Sequence, residues 1–280
     1  MSKVLTRLRA SLEDLSPVLK RVARYVLDHP EVAIYHSVTE LAEATQSSEG
    51  SIIRFCQDMG YSGFQEFKLT LAVELDPRRR ANGLASLDAD RGTTHLMARI
   101  AEQAAGTLHE TSNLFEPHAF REVAARLAQA RRIDVYGVGA SGVVAQYFAY
   151  KLIRLGKTVQ AFIDLHLGSM SASSLTADCV AIGISSSGST VDTLKALQAA
   201  RVAGAYTVAV TNRLKSPLAK YADQNLLASP PESPLTGGDV FAKIGQLLVL
   251  EALVQTMVGD DLALRDSVQR TAQVVADKSL

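Results

Sequence analysis

The chain has no tryptophan and only two cysteines, Cys56 and Cys179, too far apart for any metal-type spacing. A disulfide between separate domains is not expected, and such sparse cysteine suits a reducing compartment. Net charge is missing as well, because Lys+Arg and Asp+Glu both number 29. The basic excess that announces many nucleic-acid-binding chains is therefore absent. Within residues 1–80, eleven bases again meet eleven acids, so any basic surface must come from how these charges are arranged. No apolar run reaches the ~18–20 residues of a membrane span. The first residues carry charges throughout and lack an apolar signal-peptide core, so a cytoplasmic protein without membrane contact is expected. There is no internal repeat and no low-complexity stretch in 280 residues, a length sufficient for two domains.

Two textures are present, changing near residue 76. Upstream, Ser16-Pro17 opens a helix in which Val18, Val22, Tyr25 and Val26 recur at helical spacing, and His29-Pro30 ends it. Further helices are predicted over Val38–Ala44, Ser48–Met59 (stopped by Gly60) and Phe64–Leu75. Residues 76–95 read as a linker: Pro77 precedes Arg78-Arg79-Arg80, then small and acidic residues run to Gly92. From Leu96 to Ala130 the pattern is helical again. β-rich runs then stand at Ile133–Tyr136, Thr158–Ile163, Val180–Ile184, Tyr206–Thr211 and Asn225–Ala228, separated by helical stretches as in a parallel α/β sheet. A long helix over Phe241–Val258 precedes a helical tail. The expected class is α + α/β, with a helical domain over 1–75, the linker over 76–95 and an α/β domain over 96–280.

The segment VTELAEATQSSEGSIIRFCQDM pairs two short helices across a tight polar turn around Thr45–Ser47. Val38, Leu41 and Ala42 give the first an apolar stripe, and Ile52, Phe55, Cys56 and Met59 give the second one. Packing the stripes together turns Ser48, Glu49, Gly50, Ser51 and Arg54 outward near the start of the second helix. The N-terminal part of a recognition helix is what enters the major groove of DNA. Small residues allow close approach, serine hydroxyls and the helix N-terminus suit phosphate, and Arg54 suits guanine O6/N7 or a phosphate. An ordinary helical hairpin has the same pattern. Cys56 lies on the apolar face and reads as a core residue rather than a redox sensor.

This half resembles the N-terminal domain of the RpiR family of regulators. The likeness rests on LSPVLKRVARYVLDHP, VTELAEA, IIRFCQDMGY and GFQEFK, and covers about the first 75 residues. Two departures stand out. Gln46-Ser47 replaces the usual glycine and apolar residue of the turn, and Gly50 stands where alanine is common. The resemblance implies a helix-turn-helix reader of double-stranded operator DNA, with Ser48, Gly50, Ser51 and Arg54 as its contacts.

In the second half, the first strand ends in Gly137-Val138-Gly139-Ala140-Ser141-Gly142 and a helix follows. Taken literally this is G-x-G-x-x-G, the dinucleotide fingerprint, with Asp164 a further 22 residues on as a ribose-binding acid. An NAD(P)-binding enzyme is therefore one alternative. A second turn, Ser185-Ser186-Ser187-Gly188-Ser189-Thr190, also follows a strand and opens a helix. A dinucleotide fold does not need it, whereas two such turns at strand C-termini can converge on one phosphate. The pair of turns, spread within Arg131–Val258, resembles the SIS, or sugar isomerase, domain.

That resemblance implies a five-stranded parallel sheet flanked by helices, flavodoxin-like, holding a sugar phosphate as effector with no cofactor and no metal. Ser141 would bind the ligand from the first turn, and Ser185, Ser187 and Thr190 would hold its phosphate, while Ser186 and Ser189 point elsewhere. The bland alternative has these serines capping helices and satisfying turn backbone. Glu232, in the loop Pro230–Gly238, is a candidate for sugar hydroxyls. Lys243 either reaches the pocket or lies on exposed helix surface, and Cys179 reads as core. A phosphosugar isomerase is the second alternative, with Glu232 and His166 as the acid/base pair available to it. A fused reader favours sensing: a transcriptional regulator, expected to repress carbohydrate-metabolism genes, acting as a homodimer or homotetramer on a near-palindromic operator. The segment Asp76–Gly92 is expected to carry the coupling.

Overall fold

The computed structural model describes residues 3–75, 89–229, 240–259 and 261–276. They fall into two compact units, one up to Gln103 and the other from Ala104.

The first unit is helical: α1 (Lys3–Ser11), α2 (Pro17–Asp28), α3 (Pro30–Ala33), α4 (Val38–Ala44), α5 (Glu49–Asp58) and α6 (Phe64–Leu75). The expected helices over 38–44 and 64–75 appear with those bounds, and α5 begins one residue inside its expected start. His29-Pro30 redirects the chain rather than ending helical structure, because proline at a first helical position opens α3. Val22, Val26, Ile52, Phe55, Cys56 and Leu71 are fully buried in one core, where Phe55 meets Phe67 edge to face with centroids 5.6 Å apart. Burial pushes the Cys56 thiol up to about 12, so it remains a neutral core group at physiological pH.

The expected linker ends early. A helix, α7, runs over Ala89–Asn113, so residues 89–95 are helical; residues 76–88 lie outside the described residues. The helical stretch anticipated from Leu96 to Ala130 is two helices, α7 and α8 (Pro117–Gln129), because Pro117 again takes a first helical position.

The second unit is a parallel sheet of β1 (Arg132–Tyr136), β2 (Val159–Phe162), β3 (Cys179–Ile184), β4 (Tyr206–Thr211) and β5 (Gln224–Leu227), in the order β2-β1-β3-β4-β5. All pairings are parallel, as the intervening helices α9 (Ala140–Arg154), α10 (Leu165–Ala172) and α11 (Val191–Val202) require. This is the flavodoxin-like order, not that of a dinucleotide-binding sheet. Strand alternation sends side chains to two layers. Ile133, Val135, Val180, Ile182, Ile184, Val208 and Val210 face one layer, with Phe148 of α9 and Leu250 and Leu253 of α12 (Val240–Val258). Tyr136, Cys179, Ala181 and Ala209 face the other, with Leu165 of α10 and Leu197 of α11. A last helix, α13, covers Leu262–Ala276.

Among the described residues, α12 alone is long and apolar enough to cross a membrane by length and composition, and half of its most apolar window is buried within the protein. That burial makes it a core helix of the sheet. On the Tyr136 layer, fully buried Asp134 takes a forked pair from Arg132 (2.8 and 3.0 Å) and the Ser171 hydroxyl of α10 at 2.5 Å. A buried carboxylate needs such partners, and here they tie α10 to β1.

Candidate functional site

In the first unit, the turn between α4 and α5 is closed by backbone chemistry. Ser47 N–H donates to Ala42 O at 2.8 Å and Gln46 N–H to Glu43 O at 3.0 Å, the paired bonds of a Schellman ending. Such an ending needs a left-handed residue, and Gln46 supplies it with φ +50°. The departure noted in the sequence therefore leaves the turn's geometry intact with a side chain where glycine is usual. Arg21 of α2 clamps the turn from outside, donating to Thr45 O (3.1 Å) and Gln46 O (2.7 Å). The Thr39 hydroxyl donates to the Glu49 carboxylate, joining α4 to α5.

Both helices are capped. Ser37 and Glu40 form a reciprocal capping box on α4. On α5, Ser48 Oγ accepts from Ser51 N–H at 3.1 Å and lies 2.9 Å from Ser51 Oγ. Ser48, Gly50 and Arg54 are exposed and Ser51 half-buried, all on the outward side of α5. Ile53, which the apolar spacing left unassigned, is also exposed there. Its signal was that it falls outside the Ile52–Phe55–Cys56–Met59 stripe, and an apolar group so placed suits a thymine methyl.

In the second unit, the turns after β1 and β3 lie at the point where strand order reverses, the place where open α/β sheets bind ligands. After β1 the chain turns through Gly137–Gly139 into α9. A Cβ on Gly137 would stand 2.7 Å from Ser141 O, so this glycine lets the strand end pack onto the helix start. After β3, Ser185 Oγ accepts from Gly188 N–H at 3.1 Å and lies 3.0 Å from Thr190 Oγ1. Ser187 Oγ accepts from Ser189 N–H at 3.2 Å. Gly188 has φ +60°, and a Cβ there would fall 2.3 Å from Ser216 Oγ.

Neither α9 nor α11 has a side-chain cap bond. The same holds for α2, α3 and α8, whereas α4, α5 and α10 are capped, the last by Asp164, which accepts from His166 N–H (2.9 Å) and Leu167 N–H (3.3 Å). Asp164, the acid of the dinucleotide alternative, is thus engaged as a helix cap. His166 is exposed in the first turn of α10. Two helix N-termini without a side-chain cap, opening at one sheet switch point, turn their positive dipole ends toward an anion, with the Ser141 and Gly142 N–H groups of α9 already donating to Val138 O at 3.1 and 3.2 Å.

A cation joins them. Lys243 of α12 donates to Ser141 Oγ at 3.2 Å and also to Ser186 Oγ, linking the first turn to the second. Gln246 Nε2 donates to Ser186 Oγ (3.1 Å) and Asn212 Oδ1 (2.8 Å), and Asn212 N–H donates to Ser186 O at 3.2 Å. Ser141, Ser185, Ser186, Asn212 and Gln246 are all buried. Lys243 therefore reaches the turns rather than lying on open helix surface, and Ser186, expected to point elsewhere, is the residue gripped by α12. Asn212 and Gln246 were not anticipated. The one signal for Gln246 is a polar residue on the buried side of an otherwise apolar helix, and for Asn212 its place just past the C-terminal end of β4. Glu232 and the loop Pro230–Gly238 lie outside the described residues.

A helical reader followed by a flavodoxin-like sheet with an anion-ready switch point defines a ligand-responsive DNA-binding protein. Residues 2–78 match the family model described as helix-turn-helix domain, rpiR family, and residues 126–256 match that of the SIS domain. A helix-turn-helix-type transcriptional regulator of Caldanaerobacter subterraneus subsp. tengcongensis is 38% identical over 90% of this chain and 89% of its own. The regulator RpiR of Escherichia coli K12 is 28% identical over 88% of this chain and 82% of its own. Among solved structures, the Vibrio vulnificus NanR protein complexed with ManNAc-6P is similar with a TM-score of 0.91 and 35% identity, covering 99% of both chains. The chain belongs to the RpiR family of helix-turn-helix transcriptional regulators, with a C-terminal SIS domain.

Proposed function

We propose that this regulator is controlled by a phosphorylated sugar held in the SIS domain, and that it represses carbohydrate-metabolism genes from a near-palindromic operator. Ser141, Ser185, Ser187 and Thr190 bind the effector, joined by Glu232 at its hydroxyls. Ser48, Gly50, Ser51 and Arg54 contact DNA. The domains are taken as 1–75 for the reader, 76–95 for the connection and 96–280 for the sensor. The protein works in the cytoplasm as a homodimer or homotetramer, without cofactor, metal or membrane, and catalyses no reaction. The observation that carries this reading is the meeting of α9 and α11, neither with a side-chain cap, at the switch point beside Lys243. It suits a phosphate dianion far better than a neutral sugar. Similarity to NanR makes ManNAc-6P the first effector to try.

A thermal-shift screen of the full chain against sugar phosphates, with NAD and NADP alongside, tests it. A ligand at a hundredfold excess over its dissociation constant raises stability by about 2.7 kcal/mol. One sugar phosphate is expected to give such a shift, and Ser141→Ala/Ser185→Ala to remove it while operator binding persists. A response to NAD or NADP alone, or turnover of a sugar phosphate, would return the site to one of the enzyme alternatives. Arg54→Ala is expected to weaken operator binding by about 1–3 kcal/mol with effector affinity unchanged; normal retention on the operator would remove it from the reader.

A further inference from the structure

A cleft lined by charges of one sign concentrates ligands of the opposite sign. Such a cleft lies away from the switch point, between the C-terminal ends of α9 and α12 and the first half of α13. Its volume is about 380 Å³, within the range of small-molecule sites. Three of its lining side chains are cations, Lys151, Arg154 and Arg265, and among the described residues no carboxylate lines it. Gln255 and Gln269 add exposed amides, and buried Leu155 and Val254 give it an apolar floor.

The walls are held together. Gly156, just past α9, has φ +75°, and a Cβ there would stand 3.1 Å from Ser267 Oγ, so the glycine lets α13 lie close against the end of α9. Thr271 Oγ1 of α13 donates to Arg154 O at 3.4 Å. The cations differ in how far they are engaged. Lys151 pairs with Glu251 at 2.9 Å, and Glu251 also accepts from Gln255 Nε2 at 3.0 Å. Lys151 and Arg154 sit in the last turn of α9, where the helix dipole favours positive charge. That reason does not extend to Arg265, which lies in the opening turn of α13, at the dipole end that disfavours a cation. The guanidinium of Arg154 is half-buried and has no hydrogen-bond or ion-pair partner among the described residues. A half-buried charge without a partner is costly, and an anion in the cleft would supply one.

We propose that this cleft binds a small organic polyanion, with its phosphate or carboxylate groups taken by Arg154, Arg265 and Lys151 and its body lying on Leu155 and Val254. Two guanidiniums from different helices reach an anion from two sides, and each offers a planar fork of donors that suits either group. The site is separate from the effector turns. Ser141 stands ten residues before Lys151 on α9, and Lys243 eleven before Val254 on α12, so about 15 Å of helix divides the two sites along either path. It does not rest on the effector reading.

Isothermal titration calorimetry of the full chain at matched ionic strength is the test, with citrate as the carboxylate probe and ADP as the phosphate probe. At least one is expected to bind at one site per chain, and which one binds separates the two chemistries. Arg154→Glu is expected to weaken that binding by about tenfold or more, with an unchanged far-UV circular dichroism spectrum. A second measurement does not depend on that variant folding. Gln269→Cys is expected to react with a maleimide several-fold more slowly when the probe is bound, and Val202→Cys, at an 83%-exposed position of α11, to react equally fast with and without it. Failure of both probes to bind, binding at full strength in Arg154→Glu, or no protection at position 269 by a probe that binds would overturn the site. Binding lost in Ser141→Ala/Ser185→Ala but kept in Arg154→Glu would move the anion to the effector turns, overturning this site while the effector reading stands.

Discussion

Two serine-rich turns each lead into a helix, and they solve the same geometric problem in opposite ways. Between α4 and α5 the left-handed position is Gln46, exposed at the surface. After β3 it is Gly188, against which Ser216 is packed so closely that no Cβ fits. The hydroxyls differ too. Ser48 is bound to its own helix start, closing α5 with a cap, whereas Ser185 bonds across its turn and leaves α11 without a side-chain cap. A turn that presents a finished surface to a large partner needs its helix capped. A turn that bonds its own N–H groups internally, as Gly188 and Ser189 do here, leaves the N–H groups of the following helix start for a small anion.

The contrast can be broken most severely at Gly188. Gly188→Ala combines left-handed strain with a clash against Ser216, and about 2–5 kcal/mol of stability should be lost. Thermal unfolding of the variant would show it, together with loss of any sugar-phosphate shift. A variant as stable as the wild type would mean that the turn is not held as described. At the other turn, Ser48→Ala removes a cap and should cost about 1 kcal/mol, read by the same melt, with the sensor's ligand response untouched. The smallest effect sharpens the comparison in the opposite direction. Gln46→Gly relieves ~1–2 kcal/mol of left-handed strain but gives back ~0.4–1 kcal/mol through the freer unfolded chain. A net gain near 0.5 kcal/mol is expected, and a loss would show that the Gln46 side chain contributes more than its backbone costs.

Much of this could be read before any coordinates. The apolar periods of Val38–Ala44 and Phe64–Leu75 gave those helices to the residue, since their stripes are uninterrupted and their ends are marked by polar turns. The five strands were found within a residue or two, because short β-branched runs bounded by glycine and polar residues leave little choice. The break at Asn113–Pro117 and the start of α7 at Ala89 were not resolved: Gly92 reads as a breaker in isolation, and tertiary context overrides so weak a preference. In the candidate site, the two turns were visible because local sequence encodes turns. What joins them is only partly legible: Lys243 stands as one of two open readings, while Gln246, also on α12 and about a hundred residues after Ser141, gives no local sign of its partners. Ser186 was misplaced by assuming that alternate positions of the loop face alternate ways. The loop doubles back at Gly188 instead, and its second serine turns toward α12.

The grip of Lys243 on Ser141 and Ser186 also bears on how this sequence can change over generations. Two segments far apart in the chain share one ammonium, so a loss at either leaves the other's partner intact but redirected, and the effects of the two losses will not add. Lineages should therefore keep positions 141, 186 and 243 as a block or replace them together. A family of sensors diversifying toward new sugars would be expected to vary elsewhere around the pocket while this trio is inherited as a unit.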